Sequence, residues 1–168
     1  AFDIEGLGPR IIDQLFSEGL IEDAADIFTL QKKDLEPLEG FAELAAQNLV
    51  QGIQAKQEID LPRFLYSLGI RHVGEETVLL LAKYASQSKQ VSIDHKNLLK
   101  TFQSFSSEDL EQIPDIGPKV AESIYEYFHS EKKTNLIKKF FKNKLKISSF
   151  SSSSKSQTRQ GKTFVLTG

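Results

Sequence analysis

The sequence predicts an all-α fold: four tandem helical hairpins arranged as two pseudo-two-fold pairs, followed by a flexible linker and one β-strand of a truncated next domain. Three observations carry this reading. A seven-residue, glycine-containing motif with an apolar centre occurs four times, and each copy leads in constant register into apolar residues at helical spacing. The end of the chain then changes character, first to serine and afterwards to a β-rich run. With 39% apolar residues, 12 Phe and 5 Pro in 168 residues, the chain can bury a core for one domain or two small ones.

The motif copies are Ile4-Glu5-Gly6-Leu7-Gly8-Pro9-Arg10, Leu38-Glu39-Gly40-Phe41-Ala42-Glu43-Leu44, Ile70-Arg71-His72-Val73-Gly74-Glu75-Glu76 and Ile113-Pro114-Asp115-Ile116-Gly117-Pro118-Lys119. Their starts lie 34, 32 and 43 residues apart. The helices after them are announced by Ile11/Ile12/Leu15, Ala45/Ala46/Leu49, Thr77/Val78/Leu81 and Val120/Ala121/Ile124. Shorter helices precede three copies: Asp34–Leu38 parallels Asp109–Ile113, and Phe64–Leu68 supplies the third. The first copy has no leading helix, as expected of a chain that starts late. The absence of Met, including at position 1, also reads as a piece excised from a longer protein.

Each repeat therefore reads as short helix, tight turn, longer helix: the helix-hairpin-helix pattern. Glycine in the turn permits a positive φ and lets another backbone approach closely. Pro9 and Pro118 stand at the first position of the second helix, where a missing N–H costs nothing. The central Leu7, Phe41, Val73 or Ile116 is expected to plug the turn into the core. Free amides of the turn and of the following helix start point the same way and form a compact site for a phosphate oxygen. Such contacts position a duplex without reading its sequence. A single copy is only a tight turn; four in register point to phosphate. By the same reading, alanine at Gly8 or Gly117 is expected to strain the turn by roughly 1–3 kcal/mol.

The copies differ in ways that rank them as DNA contacts in the order first, fourth, third, second. The first has Gly6, Gly8 and Arg10; the fourth keeps Gly117 and Lys119 but carries Asp115 at the first glycine position. The third has His72 there and Glu76 in place of the cation, with Arg71 and His72 able to reach a phosphate. The second has Gly40 with Ala42 and Leu44. The resulting set of DNA-binding residues is Gly6, Leu7, Gly8, Arg10, Gly40, Phe41, Ala42, Arg71, His72, Val73, Gly74, Asp115, Ile116, Gly117 and Lys119. No catalytic or metal-binding residue is expected in the chain.

The pairs would be residues 1–60 and 61–130, within a domain of residues 1–147. The long third spacing fits an extra helix at about Asp94–Phe105, after the polar stretch Ser86–Ser92. Residues 131–147 carry Leu136/Phe140 and Ile137/Phe141 at helical spacing with lysines opposite, and read as a basic helix that either caps the bundle, with its lysine face near DNA, or lies along a duplex, the cap being the favoured reading. From Ser148 to Ser156, seven of nine residues are Ser, so residues 148–160 read as a flexible linker. Residues 161–168 read as the first strand of another domain. Gly161-Lys162-Thr163 resembles the end of a phosphate-binding Walker loop, but that loop needs glycine where Ser156 stands.

Charge is unevenly spread. Residues 1–60 hold 13 acids and 4 bases, residues 61–131 hold 10 and 7, and residues 132–168 hold 10 bases and no acid. The acidic first pair supports a competing reading as a protein-interaction module; the basic end suits a polyanion. A net charge of −2 argues against blanket phosphate neutralisation, so any grip on DNA must be local. The absence of Cys excludes disulfides, thiolate zinc sites and Cys nucleophiles, and His72, His95 and His129 form no ligand spacing. No apolar run reaches the roughly 20 residues of a membrane span.

Phe2–Gly8, Leu65–Glu75 and Ile113–Ala121 together resemble the helix-hairpin-helix domain of bacterial NAD-dependent DNA ligase, and Gly161–Gly168 resembles the opening of that enzyme's C-terminal BRCT domain. The resemblance covers essentially the whole chain. It implies a parent enzyme that uses NAD and magnesium to transfer AMP to a lysine and then to the 5′-phosphate at a nick, where a 3′-hydroxyl displaces it. It further implies an upstream four-Cys zinc module, a minor-groove grip on nicked double-stranded DNA, a role in replication and repair, and a cytoplasmic location on the bacterial nucleoid. The piece itself would be monomeric and would need no cofactor and no membrane. Ala42 and Leu44 depart from the family pattern. A helix-hairpin-helix segment of another repair or recombination protein is the further alternative.

Overall fold

Apolar side chains three and four residues apart give each helix one face that must leave water, and these faces define the architecture. A computed structural model describes residues 2–150; the predicted strand at 161–168 and most of the serine-rich segment lie outside the described residues. The elements in order are α1 (Pro9–Ser17), a 3-10 helix (Ala24–Thr29), α2 (Lys32–Leu35), α3 (Glu43–Ala55), β1 (Glu58–Asp60), α4 (Leu61–Ser67), α5 (Glu75–Lys89), α6 (Leu98–Gln103), α7 (Ser107–Glu111), α8 (Pro118–His129), α9 (Glu131–Lys142) and β2 (Lys146–Ser148). The fold is helical with helix-hairpin-helix repeats, and the short β1–β2 ladder is the one sheet among the described residues.

Contacts divide the chain into two units. The first comprises the residues up to Ile59 together with Glu131–Lys146. It holds hairpins 1 and 2, which brace each other reciprocally. A Cβ on Gly6 in the first turn would lie 3.8 Å from Leu49 Cδ1 on α3, and one on Gly52 of α3 would lie 3.5 Å from the Glu5 carbonyl. In return, Gln14 Nε2 of α1 donates to the Glu39 carbonyl in the second turn at 2.9 Å. Each turn thus rests on the other hairpin's second helix, the exchange a two-fold pair requires.

The basic helix α9 belongs to this first unit, although more than seventy residues separate them in sequence. Its buried Ile137 and Phe140 face the 3-10 helix. Phe140 packs against Phe2 and Phe28 with ring centroids 5.7 and 6.2 Å apart, and Phe2 meets Phe28 edge-on at 5.2 Å. Lys139 Nζ lies 2.9 Å from Asp23 Oδ2 and 3.0 Å from Asp26 Oδ1, while Asn143 donates to the Ala25 carbonyl. The helix expected over 131–147 is shorter: it stops at Lys142, and Lys146–Ser148 is strand. The chain leaves α9 through Lys144 in the left-handed region, which turns the backbone out of the helix.

The second unit comprises, among the described residues, Asp60–Ser130 with residues 147–150, and it holds hairpins 3 and 4. Helix α4 packs on α5, α7 on α8, and α6 bridges α5 and α8. The extra helix expected at about Asp94–Phe105 is α6, and the polar stretch expected from Ser86 is helical to Lys89. Phe64, Leu81, Leu98 and Phe128 are fully buried, and Phe102 stacks on Phe128 at 4.9 Å. Ile93 and Phe150 exchange backbone hydrogen bonds of 2.9 and 3.1 Å. The backbone is therefore paired at least to Phe150, two residues into the segment read as linker.

Because Phe140 is buried in the first unit, Phe140→Ala should destabilise that unit by about 3–5 kcal/mol in denaturant unfolding; a change under 1 kcal/mol would mean that α9 is only loosely attached. Lys139 gives a pH signature. Burial pushes the Asp26 carboxyl up, but the Glu22 amide and the Lys139 ammonium outweigh it and hold it below its usual 3.8. The hydrogen bonds to Asp23 and Asp26 raise the lysine above 10.5. The attraction is thus present at neutral pH, is lost as pH falls through the lowered Asp26 value, and is lost on the alkaline side only above 10.5. Lys139→Ala should cost about 0.5–1 kcal/mol at pH 7, and the difference from wild type should begin to shrink in thermal melts below pH 3.8 and disappear at more acid pH, once the lowered Asp26 value is passed.

Candidate nucleic-acid interface

The four turns are built alike, down to single hydrogen bonds. In each, the N–H of the fourth motif residue donates to the carbonyl of the first: Leu7 to Ile4 at 3.2 Å, and Phe41 to Leu38, Val73 to Ile70 and Ile116 to Ile113 at 3.1 Å. The third residue always has positive φ: +87° at Gly6, +88° at Gly40, +68° at His72 and +69° at Asp115. This combination is that of a type II turn, and Pro114 stands at the position such turns favour for proline. The first residues, Ile4, Leu38, Ile70 and Ile113, are all buried. They are the plugs. The central residue expected in that role is buried only as Ile116; Leu7, Phe41 and Val73 are half-buried.

The fifth motif residue is the N-cap of the second helix in all four hairpins. Gly8, Ala42, Gly74 and Gly117 have φ between −78° and −105°, in extended backbone that any residue adopts. Their carbonyls accept the first helical bonds, from Ile12, Ala46, Val78 and Ala121, at 2.9–3.1 Å. A Cβ at Gly8, Gly74 or Gly117 would meet nothing within 4 Å. The strain expected for alanine at Gly8 or Gly117 is therefore absent, and Ala42 shows the same geometry with a methyl in place. These glycines are not needed by the fold; what they leave is a bare, open surface at the helix start.

That surface presents unoccupied donors. None of the four N-caps has a side-chain hydrogen bond. The amides of Arg10 and Ile11 in α1, and of Lys119 and Val120 in α8, precede the first helical bond and face outward with the positive end of the helix dipole. The first helices of the hairpins are treated differently. Asp60 caps α4, Ser106 and Asp109 close a reciprocal box on α7, and the Asp34 carboxylate takes the Gln31 amide at 2.9 Å before α2. The Ser106 amide and hydroxyl hold the Asp109 carboxyl below its usual range.

Charge separates the four openings. Arg10 and Lys119 are exposed beside helix starts free of acids in the first turn. Helix α5 begins with Glu75 and Glu76, offset by exposed Arg71 and His72 in the turn. At α3, Glu43 is drawn to Lys32 at 2.9 Å, which lowers its carboxyl and raises the lysine. Leu44, 68% exposed, takes the place held by Arg10 and Lys119 elsewhere. Ile11 and Val120 join the candidate positions here and were missed by the sequence reading, because what they offer is a backbone amide and their side-chain types carry no signal. Among the described residues no cluster of three or more His, Cys, Asp or Glu could hold a metal, and no helix is long and apolar enough to cross a membrane.

Comparison with known proteins agrees with this geometry. Residues 63–137 match the family model described as helix-hairpin-helix motif. The chain is 42% identical over 142 residues to a DNA ligase of Pelotomaculum thermopropionicum, covering 84% of this chain and 19% of that protein. It is 38% identical over 168 residues to a DNA ligase of Thermoanaerobacter sp. (strain X514) and 40% identical over 171 to one of Natranaerobius thermophilus, each match covering all of this chain and 24% of the relative. The chain thus spans about a quarter of the length of these relatives or less.

The turn geometry separates two kinds of glycine experimentally. Gly6→Ala and Gly40→Ala force a side chain into the left-handed region and should each cost about 1–2 kcal/mol in urea unfolding. Gly8→Ala and Gly117→Ala should stay within about 1 kcal/mol of wild type. Equal losses at both kinds of position would contradict the division.

Proposed function

We propose that this chain, which is similar over its whole length to DNA ligases and carries the helix-hairpin-helix motif, grips nicked double-stranded DNA for a parent ligase, without sequence preference, by laying backbone amides on phosphates. The observation that supports the reading best is the set of four helix starts with no side-chain cap, three of them behind a glycine that leaves the amides uncovered. A phosphate oxygen accepts from such amides and sits at the positive end of the helix, and a bare N-cap lets the duplex backbone come that close. Arg10 and Lys119 add a charge-assisted contact. Hairpins 1 and 4 would hold most strongly, hairpin 3 less and hairpin 2 least.

In this reading two hairpin pairs hold the minor groove on either side of a nick and keep its ends in place. Sealing is performed elsewhere in the parent enzyme, with the NAD, magnesium and zinc module that the resemblance implies, in the bacterial cytoplasm during replication and repair. This chain's own residues contribute binding and alignment; no nucleophile paired with a base stands among the proposed contacts. The BRCT opening at Gly161–Gly168 would continue the chain into its next domain. The competing reading as a protein-interaction module drew on the acidic first pair. That support weakens once α9 is counted: the first unit carries −8 from its N-terminal part and +6 from residues 131–146, leaving −2.

An amide chemical-shift titration with a short nicked duplex, at low and moderate salt, tests the proposal. Shifts should concentrate at Gly6–Ile11, Arg71–Gly74 and Asp115–Val120; shifts confined to residues 132–162 would make the hairpins scaffold only, and silence would point to a protein partner. Gly8→Ala and Gly117→Ala should each weaken binding roughly three- to tenfold, about one phosphate hydrogen bond, with folding nearly unchanged. Loss of folding in step with binding would sink the amide mechanism.

A further inference from the structure

The lysines of α9 do not all serve the same purpose. Lys139 is consumed by Asp23 and Asp26, and this contact docks the helix. Lys138 and Lys142 lie one turn apart on the opposite, exposed face and take part in no ion pair among the described residues. They are joined by Lys144, whose backbone is the second observation. Helix α9 ends with the Leu145 amide on the Phe140 carbonyl and the Lys144 amide on the Phe141 carbonyl, both at 3.1 Å, with Lys144 at φ +77°. This is the Schellman close, whose left-handed residue is ordinarily glycine. Helix α1 ends with the same pair of bonds and uses Gly19 at φ +74°. Helix α5 closes likewise on Gln90 at φ +54°, so this fold accepts a side chain at such a close, and at the end of α9 the residue held there is an exposed lysine.

Position adds to this. Phe140, on the buried face of α9, packs on Phe2, four residues before Gly6 of the first turn. The helix therefore packs on the segment that leads into hairpin 1, the opening with two glycines and Arg10, and on the 3-10 helix that follows α1. We infer that Lys138, Lys142 and Lys144 form a second phosphate-binding surface next to hairpin 1, extending its grip along the backbone of duplex DNA. Unlike the amides, these ammonium groups act as mobile point charges, so they add affinity and salt dependence without fixing register. The inference rests on the DNA-binding reading above, and the acidity of the rest of the first unit makes this the place where that unit's positive charge is concentrated.

The test uses the 168-residue chain and a fluorescent nicked duplex, with affinity measured from low to moderate salt alongside thermal melts. Wild type should show a linear fall of log affinity with log salt. The triple variant Lys138→Ala, Lys142→Ala, Lys144→Gly should bind more weakly, with a slope shallower by about 2–3, roughly 0.9 for each phosphate that is no longer neutralised. Lys144→Gly alone should raise the melting temperature while lowering affinity, opposite directions that a purely structural lysine would not produce. Unchanged affinity and slope in the triple variant, with wild type binding normally, would overturn this surface and leave the hairpin mechanism standing. Failure of wild type itself to bind at low salt would remove both.

Discussion

A backbone residue in the left-handed region, two positions after a buried aliphatic side chain, is the constraint on which the rest of this structure depends. Ile4, Leu38, Ile70 and Ile113 anchor the turn in the core, and the residue at positive φ reverses the chain so that the fourth amide bonds back to the anchor. Once that is done, the next residue is delivered in extended backbone as the N-cap of a new helix. The direction of the second helix, and hence of its free amides, follows from the turn. Two hairpins of the first unit then brace each other's turns, Gly6 lying against Leu49 of α3 and Gln14 of α1 donating to the Glu39 carbonyl, while the openings themselves stay exposed.

Capping is divided between the two helices of each hairpin. Leading helices are closed by Asp60, by Ser106 with Asp109, and by Asp34, each contributing roughly 1 kcal/mol in the usual range for a cap. The longer second helices forgo this in all four hairpins. Their stability comes instead from burial of Leu15, Leu49, Leu81 and Ile124. Donors that a side chain would satisfy are left without one.

Electrostatics follows the tertiary fold and ignores sequence order. Along the chain, acid is concentrated at one end and base at the other; in space, helix α9 returns the base to the acidic unit. One lysine is used for docking through Asp23 and Asp26, and the apolar contact of Phe140 with Phe2 and Phe28 carries most of the attachment. The remaining lysines of residues 131–146 stay exposed.

The sequence by itself determined the helical class, the four turns and their register, because glycine, proline and apolar spacing act locally and repeat. It located the positive-φ position even where His72 and Asp115 replace glycine, since the register outvotes the residue type. It did not distinguish the two glycines of a turn: Gly6 is needed by its φ, whereas Gly8 is free of both strain and contact, and only coordinates separate these. It also misassigned the plug, because Leu7 and Ile4 are equally apolar and burial depends on what packs over them. The return of α9 to the first unit, the pairing of Ile93 with Phe150 and the choice of Lys139 over its neighbours were decided by tertiary structure alone. Each rests on contacts between residues dozens of positions apart, which no local pattern encodes.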